Sequence, residues 1–470
     1  TAYEMLLSES QERMLIVAHK GRSKEVVEIF AKWDLDAVVI GHVHNDGRMR
    51  VKHEGEIVCD VPVMALTDEA PIYERPMKAV SGQSSVVSGQ SSVVSGTADG
   101  TSRLGTANHG QLTTDNGQNR NNFLLQLLSS PNLASKEWVY RQYDHMVRTN
   151  TVVLPGADAA VVRIKETRMA LAIALDGNGR YCAANPREGA KLAVAEAARN
   201  VVCVGAKPIA VTNCLNFASP ERPEVMWSFS EVIDGIAEAC RAFDTPVVSG
   251  NVSFYNETEG RGVLPTPVIG MLGLIEDVKR VIQPGFKKEG DVIALLGTTN
   301  PDDGGSSPTV REGAVPVLDL DRELAVQAAC LRAAEAGLLR SAHDCSEGGL
   351  AVALAESCFA SLNRDAIGAQ ISLASEETSL QSQDSSLLLF SESPSRIVIS
   401  FAESARSEIE AIAKDTGSPI TILGAVGGDR LRIKIGEQEV VNSRVAEMEA
   451  VWRSSLKLKL QAEAMVAGAE

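Results

Sequence analysis

Between about residues 78 and 122 the chain loses the means to build a core. Ser, Gly, Gln, Asn and Thr dominate there, and one unit repeats directly, Ser81-Gly-Gln-Ser-Ser-Val-Val87 and then Ser88-Gly-Gln-Ser-Ser-Val-Val94. Such a stretch buries too little apolar surface to offset chain entropy, so it reads as a flexible linker or insertion. At 470 residues the chain also exceeds what one core supports, since single cores stop growing near roughly 250–300 residues. The fold must therefore be sought as separate segments on either side of this stretch.

Residues 1–77 read as the tail of a folded domain. Ser23–Trp33 has helical spacing, Leu35–Ile40 is a buried-strand candidate, and Asn45-Asp46-Gly47 followed by Met49, Val51 and Gly55–Val58 has the turn chemistry and alternation of a hairpin. Because the chain opens on Thr1 rather than Met, the native start is expected to lie upstream. Beyond the linker, 123–285 alternates strand and helix: strands are expected at Ala159–Ile164, Ala170–Leu175, Pro208–Val211, Pro246–Ser249 and Val268–Leu274, and helices at Gly189–Val204 and Val225–Phe243. A third block, 286–440, begins with the buried strand Gly290–Gly297 and continues with helices at Asp321–Ala336, Gly348–Ala360 and Ala405–Thr416. Strands are expected there at Arg396–Phe401, Ile420–Ala425 and Leu431–Ile435, an exposed loop at 374–388, and a closing helix and tail at 441–470.

A formal net charge of -16 repels phosphate backbones and anionic lipid, which argues against broad nucleic-acid or membrane-surface binding. No stretch reaches the roughly 18–20 apolar residues needed to span a bilayer. The 8 cysteines lack any C-x-x-C pair and sit among apolar neighbours, as reduced thiols of a cytoplasmic protein do. Small phosphorylated ligands stay compatible with this charge where glycine-rich turns, helix N-termini or magnesium offset it locally.

Four segments carry chemistry. Ser8, Glu9, Ser10, Gln11 and Glu12 crowd hydrogen-bonding groups between apolar flanks, which suits either helix capping or a polar ligand. Pro246–Thr258 runs from a buried strand into Gly250-Asn251, where a glycine admits a phosphate and Asn251 offers a neutral oxygen to a hard cation; a plain turn explains the pair equally well. Asn213 and Asn216 stand at the exit of another strand, where α/β folds place ligands and where Asn also simply makes turns. In Ser341–Leu350, Ser346 or Asp344 suits capping of the following helix and Gly348-Gly349 close packing, whereas His343, Asp344 and Cys345 lack the oriented base a nucleophile needs. His42 and His44 are too few for a closed metal site and read as an exposed turn.

Together, Thr1-Ala-Tyr-Glu-Met-Leu-Leu-Ser-Glu-Ser-Gln-Glu-Arg-Met14, Asn213-Cys-Leu-Asn-Phe217, Ser249-Gly-Asn-Val-Ser-Phe-Tyr-Asn-Glu-Thr258 and His343-Asp-Cys-Ser-Glu-Gly-Gly-Leu350 resemble one family, the small bacterial form of the synthetase subunit of phosphoribosylformylglycinamidine synthase. The resemblance extends over nearly everything outside the linker. It implies an α/β (α+β) fold in which an ATP-binding domain and an α/β sandwich, of the aminoimidazole ribonucleotide synthetase type, repeat in tandem and pack as an internal pseudo-dimer. On that plan residues 1–77 end the first sandwich, 123–285 form the second ATP-binding-type domain, 286–440 form the second sandwich, and the first ATP-binding domain is missing.

The resemblance also implies roles. Glu9, Ser10, Gln11 and Ser253 would contact formylglycinamide ribonucleotide, Asn213 and Gly250 would touch ATP, and Asn251 would ligate Mg²⁺. The reaction implied is ATP-dependent amidation of that substrate to the amidine in purine synthesis, with a glutaminase subunit supplying ammonia and a small accessory subunit as second partner. Where the family's catalytic half carries an acidic-Thr-His-Asn-His-Pro signature, this chain reads Asp176-Gly-Asn-Gly-Arg-Tyr181. No catalytic residue is therefore assigned here; the expected histidine lies upstream, and the chain alone is expected to be inactive. A competing expectation is a non-catalytic nucleotide-binding scaffold that docks partner subunits.

Overall fold

The computed structural model describes residues 1–8, 13–80, 117–300, 303, 315–360, 365–373 and 385–467. The expected linker falls largely on 81–116, outside the described residues. Two compact units emerge, Thr1–Glu74 and Arg75–Glu470.

In the first unit, helix α1 (Ala2–Leu7) starts at a capping box in which the Thr1 hydroxyl accepts from the Glu4 amide at 3.3 Å and Glu4 reaches back to Thr1. Helix α2 (Ser23–Ala31) follows the expected spacing. Strands β1 (Arg48–His53) and β2 (Glu56–Pro62) form the hairpin, but its turn is Glu54-Gly55, at φ of 52° and 89°, rather than Asn45–Gly47, which precedes β1. Two consecutive left-handed residues give the twist that a two-residue hairpin needs. Leu35–Ile40 forms no strand and is largely exposed: within this unit no β-ladder takes it up, and only the Leu35 amide is seen to bond, to the Phe30 carbonyl at 3.2 Å.

The second unit opens with α3 (Gly117–Leu128) and the short α4 (Glu137–Tyr140). Then follow β3 (Thr151–Val153), β4 (Ala160–Arg163), β5 (Ala170–Asp176), α5 (Gly179–Ala184), α6 (Pro186–Cys203), β6 (Lys207–Asn216), α7 (Pro223–Phe243), β7 (Val247–Ser253), the ribbon β8 (Glu257–Thr258) and β9 (Arg261–Gly262), and β10 (Thr266–Ile275). They build a six-stranded sheet of order β3-β4-β5-β10-β6-β7, antiparallel except for the β6–β7 pair. One face is covered by α6, whose Ala190, Ala193, Val194, Ala197, Ala198 and Val201 pack on Ala170, Ala172, Ala174, Ile269 and Met271. Small side chains on both elements let helix and sheet approach closely. On the opposite face Ile173 and Leu175 of β5 are exposed, so this sheet alternates buried alanine with open leucine and isoleucine.

The rest comprises β11 (Val292–Leu296), α8 (Leu320–Glu335), β12 (Leu339–Asp344), α9 (Gly349–Cys358), β13 (Ala369–Leu373), α10 (Ser385–Phe390), β14 (Ile397–Phe401), α11 (Arg406–Thr416), β15 (Ile420–Val426), β16 (Arg430–Ile435), β17 (Gln438–Arg444) and α12 (Val445–Ala467). Seven strands order as β12-β14-β11-β15-β13-β16-β17. Strand β11 is an unbroken apolar run because both its faces are covered. Ile293 and Leu295 join α9 and α3, while Val292, Ala294 and Leu296 join α8 and α11. Helix α3, whose first residues fall within the expected linker, packs Leu124, Leu127 and Leu128 into the α9 core. Part of the expected 374–388 loop is helix α10, and the rest lies outside the described residues.

Candidate functional site

Four of the seven residues singled out from sequence come together at the edge of the six-stranded sheet. Asn213 of β6 stands opposite Gly250 of β7, Asn251 stands opposite Cys214, and Ser253 opposite Asn216. The expectation that Gly250-Asn251 is a turn after a buried strand does not hold: both lie within β7, an exposed edge strand hydrogen-bonded to β6. Likewise Asn213 sits inside β6, which runs on to Asn216. Glycine at 250 leaves room for its neighbour, because a Cβ there would stand 2.3 Å from Asn213 Oδ1 and the amide would have to move. The Cys214 thiol lies 3.9 Å from Asn251 Oδ1, and Ser253 Oγ donates to Asn256 Oδ1 at 3.1 Å. Asn256 in turn donates to the Ser253 and Phe217 carbonyls, which fixes the chain leaving β7. The remaining three, Glu9, Ser10 and Gln11, lie outside the described residues.

A second feature of the same unit was only partly visible in the sequence. A cavity of about 490 Å³ opens between the two sheets' elements, lined by Asp158, Asp176, Glu196, Asn200, His343, Asp344, Glu347 and Glu356 among others. Each carboxylate has a distinct support. Asp176 ends β5 and accepts from Asn200 Nδ2 at 3.3 Å, and Glu196 stands on α6 one turn before Asn200. Asp344, at the end of β12, accepts from buried Arg199 Nε at 2.7 Å, and the other arm of Arg199 reaches Glu323 at 2.9 Å. Asp158 accepts from both the His343 ring and the Asp344 amide at 2.8 Å, while the far ring nitrogen of His343 meets Glu356 at 3.1 Å.

Both Asp158 Oδ2 and Asp344 Oδ2 are buried without a hydrogen-bond partner. A buried carboxylate oxygen left unpaired is costly, on the order of 1–3 kcal/mol or more. Crowding shows in the acidities. Burial, followed by the charges of Glu347 and Asp344, pushes Asp176 well above the usual carboxylate range. Burial and then Asp176 do the same to Glu196. Loss of hydration and Glu392 push Glu347 up to about 7, although its place on the open rim lets water screen part of that shift. For His343 burial opposes protonation, but the Asp158 and Glu356 carboxylates outweigh it and raise it well above its ordinary value. Such a set of oxygen donors suits a hard divalent cation and the phosphates it carries. Among the described residues no three His, Cys, Asp or Glu side chains form a ready-made cage, so a cation here would depend on ligand phosphates or water as well.

The Gly348-Gly349 turn follows Ser346 and Glu347 of the cavity lining. Both residues are left-handed, at φ of 77° and 70°, and a Cβ on Gly349 would stand 2.6 Å from the Ser391 carbonyl. Gly348 itself occupies the N-cap of α9 with no side-chain cap, so neither Asp344 nor Ser346 plays the expected capping role. Cys345 is fully buried and burial raises its thiol, which removes any nucleophilic role. Glu392 accepts from Gly348 N at 3.0 Å and from Tyr181 Oη at 2.9 Å. Its loop, Ser391-Glu-Ser-Pro-Ser-Arg396, repeats the pattern of Ser8-Glu-Ser-Gln-Glu-Arg13, an internal correspondence that sequence reading by itself could have used.

Residues 156–275 match the AIR synthase related protein N-terminal domain, and residues 1–54 and 288–436 match the corresponding C-terminal domain. The chain is 45% identical over 461 residues to the phosphoribosylformylglycinamidine synthase subunit PurL of Moorella thermoacetica, covering 97% of this chain and 59% of that one. With the subunit PurL of Anaeromyxobacter dehalogenans it shares 47% identity over 481 residues, covering 100% and 60%. The chain belongs to the AIR synthase related proteins. It spans about three fifths of the length of these curated relatives. In fold it is similar to T. maritima PurL complexed with AMPPCP, at a TM-score of 0.55 and 22% identity over 91% of this chain and 58% of that one. It is also similar to T. maritima PurL complexed with ADP, at 0.56 and 19% over 70% and 51%. The expected α/β architecture with AIR synthase-like domains is thereby borne out. Among the described residues no helix is long and apolar enough to cross a membrane.

Proposed function

We propose that this chain serves an ATP-dependent carbon–nitrogen ligase that converts formylglycinamide ribonucleotide to formylglycinamidine ribonucleotide in purine biosynthesis. In that reaction the substrate amide oxygen takes the γ-phosphoryl group of ATP, ammonia adds at the carbon, and phosphate leaves. The similarity to curated PurL subunits along nearly the whole chain supports this reading, as do T. maritima PurL structures with ATP and with FGAR. The single structural observation that carries it is the pairing of Asn213 with Gly250, which joins two separate stretches of sequence into one polar strip.

Within that strip, Gly250 leaves backbone accessible to a phosphate and Asn213 lays its amide over it, so the pair is proposed to hold ATP. Asn251, exposed beside them, offers one neutral oxygen to Mg²⁺, whose other positions would come from water and phosphate. Mg²⁺ would neutralise charge developing on the transferring phosphoryl group. Ser253, with Glu9, Ser10 and Gln11, is proposed to bind the ribonucleotide. Ammonia derived from glutamine, a glutaminase subunit, a small accessory subunit and a cytoplasmic location complete the proposal. A PurLQS structure from T. maritima supports an assembly of this kind.

The acidic cleft favours an additional reading, that this half of the protein holds a nucleotide of its own through a divalent cation. The bare oxygens of Asp158 and Asp344 supply the observation. Titrating the purified chain with Mg-AMPPCP, as wild type and as Asn251→Ala and Asp344→Asn, tests both. Loss confined to Asn251→Ala supports the strand-edge site, and loss confined to Asp344→Asn supports the cleft. Binding unaffected by either substitution would sink both assignments.

A further inference from the structure

We infer that Arg199 is a positioning residue of the acidic cleft: it fixes Asp344 by one oxygen so that the other stays available to a divalent cation. The inference rests on the reading that the cleft takes such a cation. Its basis is the way the guanidinium is shared. Arginine normally meets a carboxylate with two parallel N–H donors, and that embrace would consume both oxygens of Asp344. Here only Nε reaches Asp344 Oδ1, while NH1 is drawn to Glu323 Oε2.

Glu323 is in turn anchored by Gln327 Nε2 at 2.7 Å and Ser395 Oγ at 2.6 Å, so the direction of the fork is set by α8 and by the loop before β14. All three charged groups are buried: the side chains of Arg199 and Asp344 are 2% exposed and that of Glu323 is 0% exposed. Water therefore cannot substitute for the arrangement. Asp344 lines the cavity and its Oδ2 is left without a hydrogen-bond partner, and Arg199 itself follows Glu196 and precedes Asn200 on the helix that lines the same cavity. Asp158 repeats the pattern, with Oδ1 taken by His343 and the Asp344 amide and Oδ2 bare. Two carboxylates that line one cavity are each tethered by one oxygen and unpartnered at the other. Lysine would supply charge at position 199 but not two fixed donor directions.

Calorimetric titration of the full 470-residue chain with Mn²⁺ alone, paired with melting temperature measured without metal, tests the role. Wild type is expected to bind and Asp344→Asn to lose binding. Arg199→Lys should bind about tenfold more weakly or worse, the range seen when groups that orient metal ligands are replaced. Ile433→Ala, which opens a void in the core away from the cavity, should lower the melting temperature yet keep affinity. Glu323→Gln, which frees the fork to close on both Asp344 oxygens, should weaken Mn²⁺ binding with Arg199 still present. If wild type binds no Mn²⁺, the cleft reading falls and the inference with it. If wild type binds and Arg199→Lys or Glu323→Gln binds equally well, only the role of Arg199 is overturned. It is also overturned if affinity merely follows melting temperature across all variants.

Discussion

Asn213 lies across the backbone of Gly250, its side-chain oxygen 2.3 Å from where a methyl group at residue 250 would sit. The clash would be with the tip of a side chain at an exposed strand edge, so the amide can swing away. Gly250→Ala should therefore cost little stability, under about 1 kcal/mol, as exposed sites away from a packed core do. It should nonetheless displace Asn213 from the polar strip and weaken binding of a nucleotide analogue about as much as Asn213→Ala does. Urea midpoints and calorimetric titration read the two effects separately. Unchanged nucleotide affinity in both variants would remove this edge from the proposed site.

The buried triad of Arg199, Asp344 and Glu323 joins helix α6 under one sheet to strand β12 and helix α8 of the other. Removing the cation leaves two buried carboxylates with no counter-charge. Breaking one side of such a buried arrangement costs about 3–5 kcal/mol. Arg199→Met is expected to lose that much in urea unfolding, and Arg199→Lys clearly less. Equal losses would show that packing of the stem, rather than charge, dominates.

Helix α9 makes a useful contrast, because its contribution is almost purely apolar. Leu354 is fully buried between α3 and the seven-stranded sheet. Leu354→Ala should cost about 2–5 kcal/mol, according to how far the site collapses. The loss should be independent of salt and pH, unlike that of Arg199→Met, and denaturation at two ionic strengths distinguishes them.

Elements with a strong local pattern were legible in the sequence, and those defined by partners were not. The apolar run at Val292–Leu296 and the alanine-rich stretch at Pro186–Cys203 announce a doubly covered strand and a closely packed helix. Strand β12 was hidden, since Leu339–Asp344 mixes Arg, Ser and His with apolar residues and becomes a strand only by pairing with β14. Leu35–Ile40 shows the converse, an apolar run with no ladder to join. Asn213, Gly250 and Asn251 stand out because polar residues following apolar strands are conspicuous, although their place inside paired strands does not. Glu196 and Arg199 were missed because a single charge in an alanine-rich helix looks like its solvent face. Their counterparts at Asp344, Asp176 and Glu323 lie 20 to 148 positions away from Glu196 along the chain, a separation that only the tertiary fold closes.

The acidic cleft makes stability depend on pH in a direction opposite to that of a salt-bridged carboxylate. Asp176 and Glu196 are held well above the usual carboxylate range, by burial first and then by the charge of Glu347 on Asp176 and of Asp176 on Glu196, and Glu347 is moved from 4.5 to about 7. The folded chain then keeps protons that the unfolded chain releases, and stability falls as pH rises through that window. Without divalent cation, the melting temperature is expected to decline from about pH 5 to about pH 7.5. The net charge of -16 pulls the same way, so the informative quantity is the difference in slope between wild type and Glu196→Gln, which should be shallower. Mn²⁺ should raise the melting temperature more above the window than below it, because the cation binds the deprotonated carboxylates. A melting temperature that rises across the window, or a Glu196→Gln slope equal to wild type, would mean that these carboxylates are already ionised in the folded chain.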